Sequence, residues 1–273
     1  MVERRRIGAF LTLSIYSLIL LVPILWMVLT SFKTPQDLFR NRFGLPEIWR
    51  IENYVEAIRV ARIPQYFLNT VLVVAVVFVF SVSLAAMAGY VLTRFSFKWR
   101  APIRVFFLAG LTVPVQAVVV PIYGMAIRLG AVNNLLYLGL VNAAFSLPLC
   151  VLILSSFIQQ IPAAIEESAI IDGCSRGQVL IHIILPTIRE GIISATVLVG
   201  LHAWNGLLLP LLLLSRDSVK TISIGMRSFF TQYGSSPTLL MAACLISMLP
   251  ILVLYGLLQE RMIKGLTVGA IKG

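Results

Sequence analysis

Six long apolar segments constrain this chain more than any other feature of its sequence. A helix that crosses a lipid bilayer requires roughly 20 mostly apolar residues. Segments of about that length lie near residues 7–31, 67–92, 103–127, 135–158, 191–214 and 238–258. The sequence therefore predicts an all-α membrane protein, with six transmembrane helices in a single domain that comprises residues 1–273.

The composition agrees with a chain embedded in lipid. Hydrophobic residues make up 59% of the chain and charged residues 12%, whereas a soluble domain carries about 25% charged residues. The net charge of +11 does not indicate nucleic-acid binding, because the basic residues are scattered over short loops and form no basic stripe on a soluble module. Anionic lipid headgroups and control of membrane topology explain the charge better.

Basic residues in the connecting loops predict the orientation. An even number of spans places both termini on one side of the membrane. The short loop between the second and third segments holds four basic residues at Arg94, Lys98, Arg100 and Arg104, and dense positive charge marks the cytoplasmic side. We therefore predict a multi-pass protein of the cytoplasmic membrane with both termini inside, and a short surface helix within the long external connection at residues 52–62.

The connection between the fourth and fifth segments is polar and predicts a short helix. Pro162 suits a first helical position, where its missing N–H costs nothing. Glu166 and Glu167 then fall in the early turns, the end that the helix dipole favours for negative charge. Asp172 and Gly173 end the helix, because glycine readily adopts the left-handed conformation found just past a helix end.

A second short helix follows in the same connection. Ser175 and Gln178 form an S-x-x-Q capping box, and the helix is expected to end at Leu185 because Pro186 cannot continue the backbone ladder. Residues 159–190 thus form a helix–turn–helix outside the membrane, on the cytoplasmic side in the predicted topology.

This connection resembles a known loop. The residues that match are Glu167-Ser168-Ala169, Gly173, Ile183, Leu185 and Pro186. They are similar to the E-A-A…G…I-x-L-P loop of the membrane subunits of binding-protein-dependent ABC importers, with Ser168 where the family usually has alanine. Residues 259–273, Trp204-Asn205…Pro210 and Tyr123 after Pro121 resemble the permeases for oligosaccharides and related polyols.

The resemblance implies that this chain works as one subunit of a larger transporter. It implies a second permease subunit of the same fold, two cytoplasmic subunits that bind ATP and Mg and hydrolyse ATP, and an extracellular or periplasmic solute-binding protein. The function it implies is the ATP-driven import of a carbohydrate, an oligosaccharide, across the cytoplasmic membrane of a prokaryote by alternating access.

The coupling to ATP hydrolysis is expected from the helix–turn–helix. The candidate residues are Glu166, Glu167, Ser168, Ala169, Asp172, Gly173, Ile183, Leu185 and Pro186. In this interpretation Ile165, Ser168 and Ala169 form a small apolar face, and Glu167 pairs with a basic residue of the subunit that hydrolyses ATP. Gly173 holds the turn, while the last three residues of the set anchor the second helix on the bundle.

No catalytic site is recognisable, and this chain is not expected to be an enzyme. The sequence lacks a phosphate-cradling G-x-x-x-x-G-K-[ST] run and a Rossmann glycine fingerprint. His182 and His202 are isolated, and no metal-ligand spacing occurs, so we expect no metal and no cofactor in this chain. No charged residue lies in the middle of a predicted span, where a proton- or sodium-coupled carrier keeps one.

Four polar or aromatic residues inside the spans are candidates for a solute path. They are Gln116, Asn142, Trp204 and Asn205, since sugars are held by amide hydrogen bonds and aromatic faces. Interhelical hydrogen bonding or packing explains each of them equally well. Two further functions stay open: an ABC permease for glycerol phosphate, an amino acid or a polyamine, and a stand-alone secondary transporter or channel.

Overall fold

The structure, a computed structural model, consists of helices joined by short connections. It describes the backbone of residues 2–234 and 236–270, and the side-chain surroundings of residues 8–259 except 9, 235, 254 and 258. Every regular element within these residues is helical, and none of them forms a β-strand. The predicted all-α fold class is confirmed. The end of the carboxy-terminal motif, residues 271–273, lies outside the described residues.

The helices are numbered here in chain order. They are α1 Val2–Ser31, α2 Pro35–Arg40, α3 Glu52–Val60, α4 Ile63–Arg94, α5 Arg100–Gly110, α6 Val115–Arg128, α7 Leu135–Gln159, α8 Ala163–Ile171, α9 Arg176–Thr187, α10 Arg189–Asn205, α11 Leu208–Leu213, α12 Ile222–Tyr233 and α13 Pro237–Ala270. Two of them contain one wide π-helical turn each, Phe78–Val82 in α4 and Leu180–Ile184 in α9.

Four of the described helices contain a stretch long and apolar enough to cross a membrane. These stretches are Phe10–Ser31, Ile63–Arg94, Leu135–Gln159 and Pro237–Leu257. Two further pairs reach that length only as bent pairs: α5 with α6, which meet at 96°, and α9 with α10, which meet at 76°. Counting each bent pair as one span gives up to 6; the six-span topology stays a prediction.

Two of the predicted segments are interrupted. Segment 103–127 is divided between α5 and α6, because Pro114 has extended backbone angles (φ −72, ψ 128) and disfavours a helical conformation in the residue before it. Segment 191–214 is divided between α10 and α11, where Gly206 is extended (φ −58, ψ 127). These breaks place irregular backbone beside the apolar helices, with consequences for the cavity described below.

The chain divides into two compact units by its backbone contacts. The first comprises Met1–Gln65 with Gly225–Pro250. Its small core joins Ala57 and Ala61 to Phe229 and Ala243. The Asn53 side-chain amide donates to the carbonyl oxygens of Ser31 and Lys33 at 2.8 and 3.0 Å. The end of α1 is thereby joined to α3, the helix expected within residues 52–62.

The second unit comprises Tyr66–Ile224 with Ile251–Gly273. Its larger core is centred on α4 and α7, with Val73, Leu138 and Leu154 almost fully buried. The two helices approach closely at Gly139, where an added Cβ would lie 2.6 Å from the Val76 side chain. Such close packing through small residues is a usual way for helices to associate in lipid. This unit holds all candidate coupling and solute-path residues.

Candidate functional site

The candidate coupling loop is a helical hairpin with well-formed ends. Helix α8 ends at Ile171, with Asp172 as its cap residue, and Gly173 has a φ of +93°, a conformation that side-chain-bearing residues rarely adopt. The N–H of Gly173 donates to Ile170 and that of Cys174 to Ala169, at 3.0 and 2.9 Å. These bonds satisfy carbonyl groups at the end of α8. The sequence-based prediction that Gly173 makes this turn matches the observed geometry.

Helix α9 begins with the predicted capping box. The Gln178 N–H donates to the Ser175 hydroxyl at 3.3 Å, and the Ser175 N–H donates to the Gln178 side chain at 2.8 Å. The expected end of the helix at Leu185 is wrong, because the helix continues to Thr187 and bends at the next residue. The wide turn before Pro186 accounts for this: the Leu185 N–H bonds to Leu180 in a π-type spacing, which loosens the ladder where proline would otherwise clash.

One face of α8 is held by a buried ion pair. Glu166 is only 3% exposed. Arg94, at the end of α4, donates from its Nε to the Glu166 carboxylate, and the Tyr90 hydroxyl donates to the other carboxylate oxygen at 3.1 Å. Arg94 also donates to the carbonyl oxygens of Ile158 and Ile161, at 2.9 and 2.7 Å. A single guanidinium therefore connects α4, the end of α7 and α8.

The opposite face of α8 is exposed. Glu167, Ser168 and Asp172 are exposed, and Ile171 is 85% exposed. Within the described part of the chain Glu167 has neither an ion pair nor a hydrogen bond from its side chain. These four residues form one exposed surface, the α8 outer face.

The expected apolar face of Ile165, Ser168 and Ala169 does not lie on one side of the helix. Ile165 and Ser168 are exposed, whereas Ala169 is buried and packs into the core of the second unit. Ile183 and Leu185 are half-buried against the same core, and Pro186 is exposed. These positions agree with an anchoring role for the two aliphatic residues, a role that stays a prediction.

The four solute-path candidates are not brought together. Asn142 is buried and lines a cavity. Gln116 is exposed on the first turn of α6. Trp204 is buried edge-to-face against Phe67, with 5.6 Å between ring centroids. Asn205 is exposed, and its amide donates back to Leu201 at 3.0 Å.

The cavity next to Asn142 is also lined by two polar residues that were not among the solute-path candidates. It has a volume of about 470 Å³ and is lined also by Ser146 and His202. The spacing of four residues between Asn142 and Ser146, which places both on one face of α7, was the available signal. Among the described residues no group of three or more His, Cys, Asp or Glu side chains could hold a metal ion.

The observed geometry defines a helical membrane protein with an exposed hairpin anchored by a buried ion pair. Comparison with known proteins gives the family. Residues 81–268 match the model of the binding-protein-dependent transport system inner membrane component, and the chain belongs to that family. It is therefore a permease-type membrane subunit, and the predicted resemblance is confirmed.

Individual relatives align over nearly the whole chain. The diacetylchitobiose uptake system permease protein NgcG of Streptomyces coelicolor is 34% identical over 95% of this chain and 87% of its own length. The trehalose/maltose transport system permease protein MalG of Thermococcus litoralis is 32% identical over 98% and 95%.

A solved structure has the same fold. It is a bacterial ABC transporter involved in the import of the acidic polysaccharide alginate, one chain of which gives a TM-score of 0.81 at 19% identity. The alignment covers 93% of this chain and 95% of that one.

Proposed function

We propose that this chain is a permease subunit of an ATP-driven importer that moves a carbohydrate, an oligosaccharide, across the cytoplasmic membrane by alternating access. Family membership supports the class of transporter, and relatives named for diacetylchitobiose, arabinooligosaccharides and trehalose/maltose support the solute. The proposed partners are a second permease subunit, two ATP-binding subunits that hold ATP and Mg, and a solute-binding protein. Both termini lie in the cytoplasm in this proposal.

The observation that carries the coupling proposal is the contrast between two adjacent carboxylates on α8. Glu166 is buried and held by Arg94 and Tyr90, so the helix is firmly attached to α4. Glu167 is exposed and unpaired in the described part of the chain. A rigidly attached helix with a free outer face transmits a push or pull from a motor subunit to the spans, because its displacement is not absorbed by local bending.

The α8 outer face is the proposed docking surface for an ATPase subunit, with Glu167 paired to a basic residue of that subunit. ATP binding would draw two such hairpins together and open the solute cavity outward, and hydrolysis would reset it. A charge-assisted contact of this kind gains strength when the interface excludes water.

Glu167→Lys tests the coupling. We expect a loss of ATP-dependent uptake of at least tenfold while the chain still inserts into the membrane, because the substitution places like charges opposite each other at the docking surface. Uptake in vesicles and ATP hydrolysis by the purified complex are measured together. Glu56→Lys is the control, since Glu56 is an exposed carboxylate on α3. Normal uptake by the Glu167→Lys complex would show that Glu167 on α8 does not couple ATP hydrolysis to transport.

A stand-alone carrier or channel is the alternative of a different class. Solute flux through the reconstituted chain without ATPase subunits would support it. A different solute, such as glycerol phosphate, an amino acid or a polyamine, would show itself as the ligand of the cognate binding protein.

A further inference from the structure

The cavity lined by Asn142 lies where two helices are broken. One side is formed by the connection between α5 and α6, through Leu111 and Val113, and the other by the connection between α10 and α11, through Gly206 and Leu207. The wall between them belongs to α7. We propose that this cavity is a subsite for a neutral, hydroxyl-rich solute, whose hydroxyl groups are hydrogen-bonded by Asn142 and Ser146. The inference rests on the proposed import function and names a place where this chain itself holds the solute.

Two polar side chains on α7 face the cavity without a hydrogen-bond partner in the described part of the protein. Asn142 and Ser146 are each 6% exposed, lie one turn apart on α7, and both line the cavity. Neither side chain forms a hydrogen bond with another described residue, and the polar atoms of both remain accessible, as groups that face the cavity do. A buried amide or hydroxyl without a partner is costly, so such groups are normally satisfied by protein, water or ligand. Because both side chains line the same cavity, a molecule bound in that cavity is the available hydrogen-bond partner.

The breaks between α5 and α6 and between α10 and α11 place non-helical backbone beside the cavity. Irregular backbone at membrane depth is tolerated only where it is enclosed in protein or faces a water-filled cavity. The first turn of α6 follows Pro114, which provides no side-chain cap for the free N–H groups there, and Val115 of that turn lines the cavity. Transporters place solute sites at discontinuous helices of this kind, because the unpaired backbone groups supply hydrogen bonds.

The lining chemistry selects the class of solute. The lining contains no Lys, Arg, Asp or Glu, and an anion or cation buried there would lose its hydration without gaining a counter-charge. His202 adds one further hydrogen-bonding group, while Phe145 and several leucines provide apolar surface for the non-polar side of a sugar ring. A volume of about 470 Å³ falls in the usual range for small-molecule sites. The cavity therefore fits a neutral saccharide unit better than a uronate or a phosphorylated sugar.

The test uses the complete transporter, with its partner subunits and binding protein, reconstituted in vesicles. The probes are radiolabelled maltose, diacetylchitobiose and arabinobiose as neutral solutes, and trigalacturonate as the acidic one. For the neutral probe that the wild type imports, we expect Asn142→Leu and Ser146→Ala to lower the rate of uptake by about tenfold and about threefold. ATP hydrolysis stimulated by the binding protein should persist in both variants, because the coupling hairpin is untouched.

Ser156→Ala is the matched control. Ser156 lies on α7 too, donates its hydroxyl to Leu152 at 2.9 Å and does not line this cavity, so its substitution should leave uptake unchanged. If the Asn142→Leu subunit does not assemble into the transporter, the uptake rate of Ser146→Ala alone tests the subsite, because that substitution removes only one oxygen atom.

The outcomes separate the subsite from the function on which it rests. ATP-dependent uptake of a neutral sugar that is unchanged in both variants overturns the subsite and leaves the import function standing. Uptake of trigalacturonate at a rate equal to that of the neutral probes also overturns the subsite. A wild-type complex that imports none of the saccharides in an ATP-dependent manner overturns the proposed function, and the subsite with it.

Discussion

Replacing Arg94 by methionine should loosen helix α8 from the rest of the subunit. The Arg94 side chain is 14% exposed and pairs with a Glu166 side chain that is 4% exposed. Its loss removes the ion-pair partner of that buried carboxylate, and also frees the carbonyl oxygens of Ile158 and Ile161. Breaking a buried ion pair by removing one partner costs about 3–5 kcal/mol, which corresponds to at least a hundredfold change in a local opening equilibrium.

The assay for Arg94→Met is hydrogen exchange of the α8 amides, followed by mass spectrometry of the purified complex. We expect these amides to exchange about a hundredfold faster than in the wild type, because local opening of α8 no longer breaks the ion pair. Glu166→Gln should have a smaller effect of about 1–2 kcal/mol, because Arg94 keeps its bonds to the carbonyl oxygens of Ile158 and Ile161 and the glutamine oxygen can still accept a hydrogen bond. The ATP hydrolysed per solute imported should rise in both variants.

Arg100→Met is the matched control for this experiment. Arg100 donates to the carbonyl oxygens of Leu92 and Thr93 at the same end of α4, at 2.8 and 3.1 Å, and makes no hydrogen bond to α8. An unchanged exchange rate of the α8 amides in Arg94→Met, or an equal acceleration in Arg100→Met, would refute the role of the ion pair.

Two glycine substitutions test the turn of the hairpin and the packing of the spans. Gly173→Pro should abolish coupled uptake while the chain still inserts, because proline is held near φ −65° and lacks the N–H that bonds to Ile170; Gly177→Ala is its control, and normal uptake in Gly173→Pro would contradict the account. Gly139→Ala should destabilise the subunit by about 1–3 kcal/mol through the clash with Val76, seen as a lower thermal unfolding midpoint. Gly124→Ala, which meets no neighbouring atom within 4 Å, should leave that midpoint in place, and equal midpoints for both variants would argue against the close approach.

Local signals were sufficient for the hairpin because its ends are determined by short-range chemistry. The capping box of Ser175 and Gln178 and the turn at Gly173 depend on residues within a few positions of one another. The end of α9 was predicted too early because the π-helical turn Leu180–Ile184 lets the helix accommodate Pro186 and continue to Thr187. The third and fifth segments were each predicted as one span, because hydrophobicity alone does not show where the backbone of a span is interrupted.

The sequence by itself determined that this chain is an all-helical membrane protein, and its motif predicted the family. Both follow from local properties, apolar length and residue spacing, which need no knowledge of distant contacts. Only the tertiary structure decided which of two adjacent glutamates is buried, because the partners Tyr90 and Arg94 lie 76 and 72 residues away from Glu166. It likewise decided that Asn142 faces a cavity while Trp204 packs against Phe67, since the direction of a polar side chain in an apolar helix depends on the helices packed around it.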